Sequence, residues 1–242
     1  GELSAGGAGG ESSTFGGLEH LGSLVVLGDS IGDGGGQGPY YYDRLRNQLA
    51  ARYGTIEYRR KAQSGSKTST LAGQIDDLPS SLPGPVAVAI TSGGNDMKAA
   101  LPLIIAGADQ AARDTMGGHI ANALDALLEP GRFGAGVEVY VFEANIYDAS
   151  DGAGDFGQNG CAFGQGVPPI PTDGFFANWN GVIEAQVVAR GQIAMDMHGY
   201  FYGHGYHASP SWYAADCTHP NAAGHAELAN FFYEAITGQS AP

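Results

Sequence analysis

The sequence has no apolar run approaching the roughly 18 residues that a membrane-spanning helix requires, which excludes a chain threaded through a bilayer by helices. Basic residues are scarce. Lys and Arg number 11 against 25 Asp and Glu, a formal net charge of −14. A field of that sign makes a nucleic-acid partner improbable and disfavours anionic lipid surfaces. Charged residues of both signs make up only 15% of the chain. Cysteine is nearly absent as well: Cys161 and Cys217 allow one disulfide or two unrelated thiols.

What is abundant is glycine, 40 of 242 residues. Together with the low charge density it points to long loops and a neutral, polar surface. The length suits one domain with a substantial core, and a 43% hydrophobic content is ordinary for a globular protein. Residues 1–20 open with GELSAGGAGGESSTFGG, a Gly/Ser/Ala stretch that reads as a flexible tether, and 21–242 form the domain proper. The chain starts at Gly1 without a Met, so removal of an upstream segment is expected. The tether and the cysteine pair together predict export to an extracellular, periplasmic or surface-tethered location.

The apolar pattern alternates between two periods. Leu24–Leu27 is a short continuous apolar run ending in Gly28, suited to a strand buried on both faces. Tyr40–Arg52 has helical spacing, with Pro39 fitting the first helical position. Thr55–Arg59 is a second strand, and Thr68–Leu78 a short helix that ends near Pro79. Val86–Ile90 repeats the buried-strand signature and runs into Gly93-Gly94. A helix over 108–128, a strand over Val137–Phe142 and an irregular loop over 145–173 follow. Phe175–Arg190 reads as helix, Ile193–Met197 as the last strand and Asn221–Ile236 as a closing helix. Strands alternating with helices predict an α/β fold with a mostly parallel sheet, in which ligands bind beyond the carboxyl ends of the strands.

Four short blocks bear on chemistry. In Gly28-Asp29-Ser30-Ile31-Gly32-Asp33 a serine follows a buried strand, with glycines keeping the backbone tight and the hydroxyl accessible. Alone this is weak, since a serine after a strand is commonly a helix N-cap. The same residues satisfy G-x-S-x-G, but the nucleophile elbow of α/β-hydrolases follows several strands, whereas Ser30 follows the first. Asp216-Cys217-Thr218-His219 sets a carboxylate three residues before an imidazole, close enough for Asp216 to orient His219. An isolated D-x-x-H is as readily an Asp capping the final helix beside an incidental His. Ser92-Gly93-Gly94-Asn95-Asp96 offers a neutral amide suited to donating to a developing oxyanion, or simply a turn. Gly65, in Gln63-Ser64-Gly65-Ser66, could present a backbone N–H at close range.

Taken jointly and in this order, Gly28-Asp29-Ser30, Gly65, Gly93-Gly94-Asn95-Asp96 and Asp216-x-x-His219 resemble the blocks of the SGNH hydrolase family, the GDSL-type esterases and lipases. The resemblance covers nearly all of the chain beyond the tether. It implies a three-layer α/β/α, flavodoxin-like sandwich of about five strands in order 2-1-3-4-5. It also implies ester hydrolysis without a cofactor, with Ser30 as nucleophile, His219 as base and Asp216 as its orienting partner. The oxyanion donors it implies are the Ser30 N–H, the Gly65 N–H and the Asn95 amide. Ala62-Gln63-Ser64-Gly65 departs from the pattern, since many members carry an Asn upstream of that glycine.

The substrates expected are small-molecule or glycan esters of short acyl or acetyl groups. The alternatives are a lipase or phospholipase acting on longer chains and, from another class, a non-catalytic carbohydrate-binding module. Asp196, His198, His204 and His207 match no zinc spacing; a polar loop that lines the substrate cleft is the better reading, and no metal is expected. Tyr40-Tyr41-Tyr42 and Phe175–Trp179 read as packing between helix and sheet rather than as ligand platforms. Cys161 and Cys217 are expected to be joined, because a free thiol between Asp216 and Thr218 would be exposed to oxidation in an exported protein.

Overall fold

A computed structural model describes residues 15–158, 161, 165–166 and 168–242. Residues 1–14 of the expected tether lie outside the described residues. Packing starts before residue 21: Leu18 is buried, its N–H donates to the Ile236 carbonyl, and its own carbonyl accepts from the Tyr53 hydroxyl.

Five strands, β1 (Ser23–Gly28), β2 (Glu57–Arg60), β3 (Val86–Thr91), β4 (Val139–Ala144) and β5 (Ile193–Met195), form one sheet. All neighbours are parallel, in the order β2-β1-β3-β4-β5. The helices are α1 (Tyr41–Tyr53), α2 (Leu71–Asp76), α3 (Gly94–Ala99), α4 (Leu101–Ile105), α5 (Gln110–Leu127), α6 (Asp173–Val188), α7 (Met197–Phe201) and α8 (Ala222–Thr237). The expected three-layer α/β/α sandwich is therefore present.

The continuous apolar runs of β1 and β3 are explained by burial on both faces. Leu24, Val26, Ala87 and Ala89 face a cluster with Tyr41, Leu45 and Phe232 from α1 and α8. Their neighbours Val25, Leu27, Val88 and Ile90 face the opposite cluster, with Ile75 of α2, Ile120 and Leu124 of α5 and Trp179 of α6. Among the described residues no helix is long and apolar enough to cross a membrane.

Several boundaries move, each for a local reason. Pro39 is not the first helical residue but precedes the N-cap, Tyr40. The expected helix over 68–78 opens as a 3-10 turn (Thr68–Thr70) and is helical only over α2. The last strand stops at Met195 because the Asp196 carboxylate accepts the Gly199 N–H and starts α7. The short helices α3, α4 and α7 fell below the length at which helical periodicity is readable.

Candidate active site

Strand order reverses between β1 and β3, and in such sheets this is where a crevice opens beyond the carboxyl ends. The segments that leave β1, β3 and β4 all border one cleft here, with Ser30, Asn95 and Ile146 among its lining residues and His219 across from them. Gly28 ends β1 at φ 116°, and a Cβ there would lie 1.9 Å from the Thr91 carbonyl oxygen. Only glycine lets β1 and β3 stay paired at this point while the chain turns to present Ser30.

Ser30 Oγ lies 2.7 Å from His219 Nε2, and His219 Nδ1 lies 2.7 Å from Asp216 Oδ2. Partial burial pushes the Asp216 carboxyl up, but hydrogen bonds from the His219 ring and from the His219 and Thr218 N–H groups outweigh it and hold the carboxyl below its ordinary value. An ionised carboxylate only accepts, so the His219 proton sits on Nδ1 and the Nε2 lone pair faces Ser30. Gly35 lies under that ring. A Cβ on it would come within 2.4 Å of His219 Cδ2, so the imidazole rests on bare backbone.

The D-x-x-H pair shares a face through a turn rather than through a helix; α8 is capped by Asn221, whose side chain accepts from the Ala223 and Gly224 N–H groups. The turn is tied down by two residues that sequence reasoning did not find, Tyr147 and Asn221, and by the expected disulfide. The Tyr147 hydroxyl donates to the Thr218 carbonyl at 2.6 Å. Asn221 Nδ2 donates to the Ser211 and Tyr213 carbonyls. Cys161 and Cys217 are joined, with Cα atoms 5.6 Å apart, linking the 145–172 loop to the residue that follows Asp216.

Asn95 Nδ2 donates one hydrogen to the Ser66 carbonyl at 2.9 Å, which leaves its second N–H for the cleft it lines. Gly65 is not among the cleft-lining residues; it sits on the adjacent loop at φ 77°. That loop is fastened at three points. Asp33 Oδ2 accepts the Ser64 N–H and hydroxyl, the Asp96 carboxylate accepts the Thr68 N–H and hydroxyl, and Ser66 Oγ donates to the Gly28 carbonyl.

Two buried side-chain amides act as backbone clamps at the rim. Gln74 accepts the Gly28 N–H and donates to the Gly28 carbonyl, both at 2.8 Å, just beyond the point where β1–β2 pairing stops. Asn180 does the same for Ile146, both at 2.9 Å, just beyond β4. Asp29, behind Ser30, is buried, and loss of hydration lifts its carboxyl to about 6 despite a hydrogen bond from the Ile31 N–H.

The His/Asp-rich stretch disperses. Asp196 caps α7 and accepts from Asn145, His198 Nδ1 faces the Ile146 carbonyl, His204 stacks on Trp212 and His207 pairs with Asp155. None of these histidines lines the cleft, whereas Met197 between them does. Among the described residues, no three His, Cys, Asp or Glu side chains are grouped to hold a metal ion. Of the aromatic runs, Tyr41 and Trp179 pack in the core as expected, but Phe176 also borders the cleft.

The GDSL-like Lipase/Acylhydrolase family matches residues 26–227. The chain belongs to this family. As a GDSL-family member it is a carboxylic ester hydrolase. Solved structures with the same fold include phospholipase A1 from Streptomyces albidoflavus (22% identity, 89% of this chain and 98% of that one, TM-score 0.58). An extracellular lipase from Streptomyces rimosus is similar at 20% identity, over 89% and 100% of the two chains, with TM-score 0.60. An acetylxylan esterase from Geobacillus stearothermophilus matches at 19% identity, 89% and 95% coverage and TM-score 0.59. No curated protein sequence matches the chain.

Proposed function

We propose that this GDSL-family protein hydrolyses carboxylic esters with Ser30 as nucleophile, His219 as general base and Asp216 as the carboxylate that orients it. The observation that carries the reading is the relay of two 2.7 Å contacts from Ser30 Oγ through the His219 ring to Asp216. His219 takes the hydroxyl proton as Ser30 Oγ bonds to the acyl carbon, and Asp216 stabilises the imidazolium that forms. The free Asn95 N–H and the backbone N–H of Ser30, both on cleft-lining residues, are the donors for the resulting oxyanion, with the Gly65 N–H on the adjacent loop as the third that the family pattern implies. His219 then gives its proton to the departing alkoxide, and water repeats the sequence to release the acid.

The joined cysteines and the likeness to an extracellular lipase support an exported enzyme. The substrates are small-molecule or glycan esters. The structural neighbours named above include both an acetyl esterase and lipases, so the likeness does not select the acyl length. Ser30→Ala is expected to lower the turnover number on p-nitrophenyl esters by at least about a thousandfold without changing the fold. Retention of a tenth of the wild-type rate would remove Ser30 as nucleophile.

A further inference from the structure

An apolar groove continues out of the catalytic cleft, and the two share Met97, Lys98, Phe156 and Phe176 as lining residues. One wall comes from the segment after the Asn95 block: Leu101, Ile104 and Ile105 of α4 line it. The other comes from the 145–172 loop and the start of α6, through Phe156, Ile170 and Phe175.

The sequence Leu-Pro-Leu-Ile-Ile of α4 contributes no buried residue to the core, and Leu103 and Ile105 stand 45% and 51% exposed. Scattered exposed apolar residues are ordinary, but here Ile105 stands beside Leu101 and Ile104 along the groove that leads to Ser30. The opposite wall is built rather than loose. Asp148, itself buried, accepts from the Ser150 and Gly152 N–H groups and from the Thr172 hydroxyl. The chain doubles back so that the Ile170 N–H reaches the Gly154 carbonyl. Asp148 and Ser150 thus serve the loop's own turns, Asp151 and Asp155 tie it to residues 203–207, and Phe156 and Ile170 line the groove.

Resting on the ester-hydrolase reading, we infer that this groove receives the acyl chain, and that the preferred substrates are esters of medium-chain fatty acids rather than acetyl esters. An ester whose carbonyl sits at Ser30 must send its alkyl tail somewhere, and the groove that leaves the cleft between α4 and the loop is a path of apolar side chains. Each methylene moved from water into such surroundings is worth up to about fourfold in binding.

The test compares kcat/KM on p-nitrophenyl acetate, butyrate, octanoate and palmitate, below the concentrations at which the esters aggregate. Wild-type octanoate should exceed acetate by at least about tenfold. Ile104→Trp, which fills the groove, and Ile105→Glu, which charges its exposed edge without touching the core, should each lower the octanoate-to-acetate ratio at least about tenfold. Circular dichroism confirms that the variants are folded, and Ile105→Glu stands alone if Ile104→Trp is not. Acetate preference that disappears in Ser30→Ala overturns the groove while leaving the triad intact. Ester hydrolysis that is absent, or untouched by Ser30→Ala, overturns the triad reading beneath it. Unchanged ratios in a folded Ile105→Glu variant, with loss confined to emulsified substrate, would make α4 a surface-docking element and overturn the acyl assignment.

Discussion

The two halves of the candidate catalytic machinery are held by different physics. Ser30 follows the end of β1 and Asn95, in the first turn of α3, follows the end of β3; these strands are buried on both faces and paired with each other along their whole length. Displacing the nucleophile means disrupting the sheet. Asp216 and His219 belong to no strand or helix. Their turn is fixed by a tyrosine hydroxyl, an asparagine amide, a disulfide, the bare backbone of Gly35 under the ring and a few backbone hydrogen bonds, among them the Ala214 N–H to the His219 carbonyl. The sheet side is therefore robust because its ties are many and cooperative, whereas the turn side depends on a few bonds that can be removed singly. An element with so few ties is expected to open locally at lower free energy than the strands.

The comparison is broken most severely where both halves meet the reacting atoms. Asn95→Ala is expected to lower the turnover number by about a hundred- to a thousandfold, as loss of one oxyanion donor does, with the KM little changed. A parallel rise in KM would assign Asn95 to ground-state binding instead. Next in size is the disulfide. In the variant Cys161→Ser/Cys217→Ser the turn loses its covalent tie, and a shift of about 1 Å in His219 costs about a hundredfold in rate. The loop-closure model adds a loss of about 4 kcal/mol in global stability for a separation of 56 residues. Activity should therefore fall at temperatures well below the melting transition. Loss of activity only as the protein unfolds would make the bridge a purely global staple.

A smaller pair of substitutions sharpens the contrast. Tyr147→Phe deletes only the hydroxyl that holds the Thr218 carbonyl, a bond worth about 1 kcal/mol. It should lower the turnover number up to about tenfold and leave Tm nearly unchanged. Gln74→Leu leaves the buried Gly28 N–H without its partner, at about 1–3 kcal/mol. Here the effect should be inverted, with a lower Tm and a near-normal rate per folded molecule. If both variants affected rate and Tm alike, the two halves would be one cooperative unit, and the distinction drawn above would fail.

That distinction also separates what the sequence made legible from what it hid. The strands β1 and β3 announce themselves as continuous apolar runs, because burial on both faces leaves no room for polar residues. Ser30, Asn95, Asp216 and His219 are visible because their chemistry restricts both residue type and order. Gln74, Tyr147, Asn180 and Asp148 are not visible: each is a single polar residue whose role depends on a partner met only after folding. Gln74 reaches Gly28 across 46 positions and Tyr147 reaches Thr218 across 71. The apolar groove was hidden for a related reason, since the composition of the 145–172 loop averages turn-forming residues with the few that face inward. Gly65 shows the reverse limit. Its block was readable, yet the structure sets it beside the cleft rather than among its lining residues.

The smallest expected effect on turnover, none, comes from a residue on the sheet side that no part of the mechanism uses. Glu143 lies on β4 between Ile90 and Ala194, 1% exposed, and among the described residues neither carboxyl oxygen has a hydrogen-bond partner. Loss of hydration lifts its carboxyl to about 8, so in the folded protein it carries a proton at neutral pH. An unfolded chain releases that proton above the ordinary glutamate value of about 4.3. Between there and about 8 the folded state holds more protons than the unfolded one, so stability falls as pH rises through this window. Asp29, lifted to about 6, acts in the same direction over a narrower range. His225 opposes both: buried, with its ring lowered to about 4, it resists protonation when folded, so its contribution is lost as pH falls from about 6.5 towards 4. Glu143→Gln keeps the shape and removes the titration. Urea midpoints measured from pH 4 to 8 should show wild type losing stability relative to the variant as pH rises, on the order of a few kcal/mol at the top of the range. The amide's own unpaired hydrogens add a cost that does not change with pH and so only offsets the two curves. Parallel curves would mean that Glu143 is solvated or ionised in the folded protein, and that the sheet side is held at this point by something other than dry burial.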